Sequence, residues 1–224
     1  MTTTHDFCDG NGPVPAHRHK NPDGTEGGWV ADTALVSGNA LVYDNARVSG
    51  NARVSGKALV CGDAQVCGNA QVYGNAQVYG NAQVYGNARA SGNARVCGDA
   101  RVYGNAQVYG NALVSGNALV YDNARVHGDA QVYGNALVCG NALVLWGYSL
   151  RFDWTAYREK SGAVVLQYGC ERRTLAEWKR NLTTIIARHV ADKAERKQYA
   201  AMLKTLIVLA ATIPSVKATR GREG

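Results

Sequence analysis

His127 is the one histidine that lies inside the long repeated segment of this 224-residue chain. An imidazole titrates near neutrality and is the most frequent general base, so His127 is the catalytic candidate. It occupies an outward position that Tyr, Ser or Cys fills elsewhere, and a surface substitution is the competing reading. A second set, Cys8, His17 and His19, has the side chains that bind zinc. Its C-x8-H-x-H spacing matches no established zinc pattern, which leaves it a metal candidate on residue type alone. The six cysteines, Cys8, Cys61, Cys67, Cys97, Cys139 and Cys170, show no disulfide-framework spacing. Four of them share one repeat position with Tyr and Ser and act as medium-sized alternatives there. A reducing compartment fits them. The sequence contains no P-loop, no GxGxxG after a strand and no HExxH.

These residues are positioned by a six-residue word, as in QVYGNAQVYGNAQVYGNA from Gln71 to Ala88. Val recurs every six residues at twenty positions from Val30 to Val144, with Ala90 as the one exception. Ala follows four residues later without a break from Ala34 to Ala142. In Ala-Gln-Val-Tyr the side chains alternate, so Ala and Val share one face while Gln and Tyr share the other. The Gly-Asn pair readily adopts unusual backbone angles and bends the chain. Strand, corner, strand, corner, with no helical period, predicts an all-β solenoid with a narrow Ala/Val interior.

The word Val-x-Gly-Asn-Ala-x resembles the hexapeptide repeat of left-handed parallel β-helices. That resemblance implies three words per triangular coil and six to seven coils. At about 4.8 Å per coil the prism is roughly 30 Å tall. Residues 18 apart then stack in outward columns. One column reads Ser49, Cys67, Tyr85, Tyr103, Tyr121, Cys139, with Gln83, Arg101 and Leu119 beside the tyrosines. Tyr85, Tyr103, Tyr121 and Arg101 are the ligand-binding candidates, because rings and a guanidinium suit stacking and phosphate contact. Stacked like side chains also stabilise such coils without any ligand.

The ends differ from the repeat. Residues 1–29 read as an irregular Gly/Pro-rich cap, with Trp29 placed to cover the lower end of the core. Residues 30–145 form the β-helix. Residues 146–213 read as a ββαα module: strands over Phe152–Arg158 and Ala163–Tyr168, a turn at 160–162, a capping box Thr174-Leu-Ala-Glu177 opening one helix, and a second helix from about Asp192 to Ile213. Trp178, Ile185, Ile186, Met202 and Leu206 are the interface candidates, on the argument that a small triangular end cannot bury both apolar helix faces. Leu209 belongs to the same expected apolar face. Residues 214–224 read as a disordered tail. The module around YGCERRTLAEW and the leader CDGNGPVPAHRH resemble segments of hexapeptide-repeat proteins of phages and prophages. Resemblance to hexapeptide-repeat proteins further implies a homo-oligomer, a trimer before a dimer.

Composition narrows the function. Hydrophobic residues make up 46% of the chain, too many for a disordered protein, and no apolar run reaches membrane-spanning length. The polar start has no signal-peptide pattern, so a cytoplasmic protein off the membrane is expected. From Trp146 onward fifteen Lys/Arg oppose seven Asp/Glu, whereas the first 145 residues hold nine against ten. The excess points to an acidic macromolecule or nucleotide-like ligand as a partner of the C-terminal module, or else to a solvated basic face. Many hexapeptide-repeat proteins are trimeric acyltransferases that use acyl-CoA and a His near a loop interrupting the repeat. Here no loop interrupts Val30–Val144 and only His127 is available. The reading that follows is a non-enzymatic scaffold without a cofactor, presenting Tyr/Gln/Arg ladders, a phage-encoded binder of a host component. The acyltransferase is its alternative. Ice-binding β-helices carry Thr rows, which these columns lack.

Overall fold

The computed structural model describes residues 3–139, 144–149, 152–158, 162–168 and 171–213. The chain divides into two compact units, Met1–Val144 and Leu145–Gly224. The first unit is a parallel β-solenoid of about six turns. Eighteen two-residue strands run from β4 (Leu35–Val36) to β21 (Leu137–Val138), one per word. Every third strand pairs in parallel, Gln83 facing Gln65 on one side and Arg101 on the other, so the register is 18 residues. Three flat faces result. The first face continues β3 (Glu26–Ala31) through Arg47–Val48 to Leu137–Val138; the second runs from Leu35–Val36 to Arg125–Val126; the third runs from Leu41–Val42 to Gln131–Val132.

The interior is what the alternation dictates. From Ala40 to Ala136 every repeat Ala, and from Val42 to Val132 every repeat Val with Ala90, is 2% exposed or less. Burying each Val contributes about 1.5–3 kcal/mol. Backbone N–H groups are satisfied coil to coil, as in Gln83 N to Ala100 O at 2.9 Å, Tyr85 N to Val102 O at 3.0 Å and Asn87 N to Gly104 O at 2.7 Å. At the corners Gly110 has φ +74°, and a Cβ there would lie 2.9 Å from the Gly128 nitrogen of the next coil. Asp44 and Asp122 take the same corner position at φ 57°, which Asp tolerates better than most residues. Asparagine amides run up one corner, Asn51 to Asn69 to Asn87 to Asn105 to Asn123, at 3.2–3.4 Å.

The leader, expected to be irregular, contains three strands among its described residues. β1 (Thr4–Asp6) pairs antiparallel with β2 (Pro13–Lys20), and β2 with β3, which joins the first face. The exposed edge of the first coil offers a row of unpaired backbone groups, and the Gly/Pro-rich turns let the leader fold back onto it. Trp29 does not cover the end of the core. It pairs in register with Arg47 in the outward row, stacked on His5 at 4.4 Å. It packs against a small outer cluster of Phe7, Ala16 and Ala31. On the third face the edge is closed by Asn21, 3% exposed. Its amide donates to Val42 O at 3.1 Å and its oxygen accepts from Val42 N at 2.9 Å, as a paired strand would. Gly27 allows this approach, since a Cβ would fall 1.8 Å from Val42 O.

The second unit has four strands where two were expected. Leu145–Ser149 (β22), Phe152–Arg158 (β23), Val164–Tyr168 (β24) and Glu171–Thr174 (β25) form an antiparallel meander. Leu145–Ser149 straddles the expected boundary between repeat and module at 145/146, and Glu171–Thr174 is charged and short; both are ordered as strands by pairing rather than by their own pattern. α1 (Leu175–His189) opens on the Thr174–Glu177 capping box, and α2 (Lys193–Ala211) on Asp192. Both helices pack on β24, and the Trp178 indole donates to Leu166 O at 2.6 Å. Residues 160 and 161 of the turn expected at 160–162, Cys170 and the 214–224 tail lie outside the described residues.

Candidate functional site

The tyrosine column forms as the 18-residue register requires. Tyr85 and Tyr103 stack with ring centroids 4.8 Å apart and planes within 2°, and Tyr103 and Tyr121 at 4.9 Å and 4°. Cys67 precedes this ladder and buried Cys139 follows it. Burial raises the pKa of all three phenols, and for Tyr121 a hydrogen bond with the Cys139 thiol adds to it. The Cys67 thiol is also pushed up by burial. Arg101 is exposed beside the ladder, and its charge lowers the Tyr85 and Tyr103 pKa values slightly against burial. The four ligand-binding candidates are thus on one face. In the ladder the rings present edges, because their faces are spent on each other.

Below the ladder, on the same face, is a cleft of about 390 Å³ lined by Asp9, Asn11, Val14, Pro15, Asp32, Thr33, Ser49 and Gly50. Two carboxylates and two hydroxyls line it, and one carboxylate, Asp32, is held by His17 at 3.0 Å. His127 lies on another face, stacked on Tyr109 at 5.3 Å and 17°. The imidazole is one more rung of a column, far in sequence and on a different face from the cleft.

The metal candidates do not converge. Cys8 is exposed on the loop after β1, where its N–H donates to Asp6 Oδ1. His17 Nδ1 is 3.0 Å from Asp32 Oδ1. His19 has a buried, unbonded Nε2 and a pKa lowered first by burial and then by His17. Among the described residues no three His, Cys, Asp or Glu side chains are arranged to hold a metal ion.

The interface candidates are consumed in the core of their own unit. Trp178 is 1% exposed, Ile185 and Ile186 are 4%, Leu206 is 6%, and Met202 packs against the same cluster. The expected strands supply the covering sheet face, through Trp154, Ala156, Leu166 and Tyr168. Leu209 is exposed, as is its neighbour Val208, and these two are the exposed large apolar side chains of α2.

Three arrangements escaped the sequence reading. Glu171, at a strand end, accepts from His189 Nε2 at 2.8 Å and Arg173 Nε at 3.0 Å, with Arg188 at 3.6 Å. The His189 contact is the main cause of its lowered pKa. On the third face Arg95 donates to the Tyr79 hydroxyl at 2.6 Å, and Tyr79 also meets Cys97, whose hydrogen bond raises the phenol's pKa. On the second face Arg53, Arg89 and Arg125 stand in one row. Their 36-residue interval, twice the coil length, was the readable signal.

Against known families, residues 46–62, 64–80, 76–92, 82–97, 94–110, 106–121, 114–128 and 130–145 match the YdcK beta solenoid repeat. The chain therefore carries a tandem array of this repeat across residues 46–145, and the array coincides with the observed coils. No curated protein matches the chain. No helix among the described residues is long and apolar enough to cross a membrane.

Proposed function

We propose that the protein is a non-enzymatic structural and binding protein, a rigid prism that displays ordered rows of side chains and carries a basic helical module. The observation that supports this reading is the uninterrupted run of strands from Leu35 to Val138, in which each corner takes the same few residues. Without an inserted loop, every outward side chain lies on a flat row, where it meets a surface more readily than it encloses a substrate. A host component met by a phage-borne protein is the setting in which such rows would be used. A homo-oligomer, trimer before dimer, is part of the proposal, and the exposed Val208 and Leu209 are the apolar α2 surface left to serve it.

The test combines native mass spectrometry of protein purified from cells with acetyl-CoA turnover against a panel of amines and sugars. The expected result is no turnover and no retained CoA, with the intact mass giving the oligomeric state. Turnover present in the wild type and lost in His127→Ala would replace this reading with an acyltransferase.

A further inference from the structure

The second face has a two-coil period. Going up it, the residue before each inward position and the residue after it read Arg53 with Ser55, Gln71 with Tyr73, Arg89 with Ser91, Gln107 with Tyr109, and Arg125 with His127. Arginine beside a small hydroxyl thus alternates with glutamine beside tyrosine for four coils, until His127 replaces the small residue. At about 4.8 Å per coil the guanidinium groups recur every 9.6 Å or so along a straight line. All three arginines are exposed, and no carboxylate lies within ion-pair distance of them among the described residues. Tyr73 is 39% exposed, and its column neighbours are serines, so neither ring face is covered by another ring.

The charges of the prism are segregated across it. Asp44, Asp63 and Asp99 all stand at the corner between the third and first faces, which is the edge opposite the second face. Lys57 lies at a corner of the second face, and carboxylates flank that face in the first coil (Asp32, held by His17) and the last (Asp122 and Asp129). Between those ends the arginines face solvent as a row without ion-pair partners among the described residues, which attracts an anionic chain and orients it along the axis.

We propose that this face binds a linear acidic polysaccharide with one anionic group on every second sugar. An extended pyranose residue is about as long as one coil is tall, so two coils match one disaccharide. The arginine fork and serine hydroxyl suit the charged sugar. The open tyrosine face and the glutamine amide suit the apolar face and hydroxyl groups of the neutral one. Nucleic acid fits the period poorly, since a strand carries a phosphate about every 3.4 Å. Proteins that hold single strands use continuous basic grooves. This inference rests on the scaffold reading and refines it; its failure would leave that reading standing, because only catalytic turnover removes it.

The experiment measures binding of the full chain to fluorescently labelled hyaluronan oligosaccharide, with a carboxylate on every second sugar. Polygalacturonate, with a carboxylate on every sugar, neutral dextran and a 20-nucleotide oligo-dT are compared with it. Hyaluronan is expected to bind most tightly, and to weaken as salt screens the charges. R53Q/R89Q/R125Q should lose at least tenfold, since glutamine already fills the alternate rungs of that row. R47Q/R95Q/R101Q removes the same charge from the other two faces and should lose less than twofold. Tyr73→Ser, copying the neighbouring rungs, should weaken binding at least threefold and serves as a second variant should the triple one melt early. Absence of hyaluronan binding, equal losses in the two triple variants, or tighter binding of polygalacturonate or oligo-dT would each overturn the proposal.

Discussion

Replacing Tyr103 by Ser should destabilise the solenoid measurably, while the same change at Tyr73 should not. Tyr103 is the middle rung of the ladder and stacks on two rings, at 4.8 Å and 4.9 Å. Each such pair is worth about 0.5–1.5 kcal/mol beyond the area it covers. Losing both therefore costs roughly 1–3 kcal/mol before the lost burial is added. Tyr73 lies between Ser55 and Ser91 and stacks on no ring, so its loss resembles an ordinary surface substitution, within about 0.5 kcal/mol. Serine is already present at both column positions in other coils, which keeps strand and corner geometry unchanged.

Thermal melting followed by circular dichroism reads this difference. For a chain of this size a kcal/mol shifts Tm by roughly 2–4 °C, so Tyr103→Ser should melt several degrees lower and Tyr73→Ser within about 2 °C of the parent. A double-mutant cycle with Tyr85→Ser isolates one stacked pair and should return a coupling of about 0.5–1.5 kcal/mol. Equal shifts in the two single variants, or a coupling of zero, would show that the ladder is merely a consequence of the coil register and contributes nothing to it.

Alkaline pH should act on the same residues. Tyr85, Tyr103 and Tyr121 hold their protons more tightly when folded, so their contribution is complete below the unfolded phenol pKa near 10 and is lost as pH rises through the higher folded values; melting temperature should fall above about pH 10, less steeply in Tyr103→Ser. Asn21→Ala orphans the backbone N–H and C=O of Val42, at about 1–3 kcal/mol for each group that water does not reach, and amide exchange at Val42 should accelerate. Glu171 has a folded pKa below its ordinary value, so its stabilisation is present above about pH 4.5 and lost as pH falls through the lower folded value. Glu171→Gln should destabilise the C-terminal unit by about 1 kcal/mol at neutral pH and flatten its acid unfolding curve.

The repeat region was legible because each inward residue is tested twenty times over. A one-residue slip would turn every Ala and Val outward, so the phase had one solution, and the tyrosine ladder followed from it. The leader failed for the opposite reason. Its strands carry Pro13, Pro15, His17 and His19, a poor strand pattern, and become strands only because the first coil presents an edge to pair with. The C-terminal unit was half legible. Its helices announce themselves through Thr174, Glu177 and Asp192, whereas Glu171–Thr174 is ordered by pairing with Val165–Tyr168. The surface against which Trp178 and Ile186 pack is carried by the two strands that were expected, through Trp154, Ala156, Leu166 and Tyr168; with that face left uncounted, two buried helix faces looked like surplus ones.

A repetitive solenoid separates what the scaffold needs from what it displays. The inward residues and corners allow almost no choice: Ala90 is the one departure from Val, and after the first corner, Asp32-Thr33, the described corners accept Gly or, at Asp44 and Asp122, a residue that tolerates positive φ. Outward positions are under no such constraint, so Gln, Arg or Leu serves equally well before each inward Val. An ordering found only there reflects contacts between outward neighbours, or a partner that meets them. The stacked tyrosines fall on the scaffold side of that division, since neighbouring rings stabilise one another. The Arg–Gln alternation of the second face serves both sides: it keeps like charges from facing each other one coil apart, and it leaves three exposed guanidinium groups at a fixed 36-residue interval. The arginine row, rather than the tyrosine ladder, is therefore the part of this surface on which the proposed acidic partner is tested.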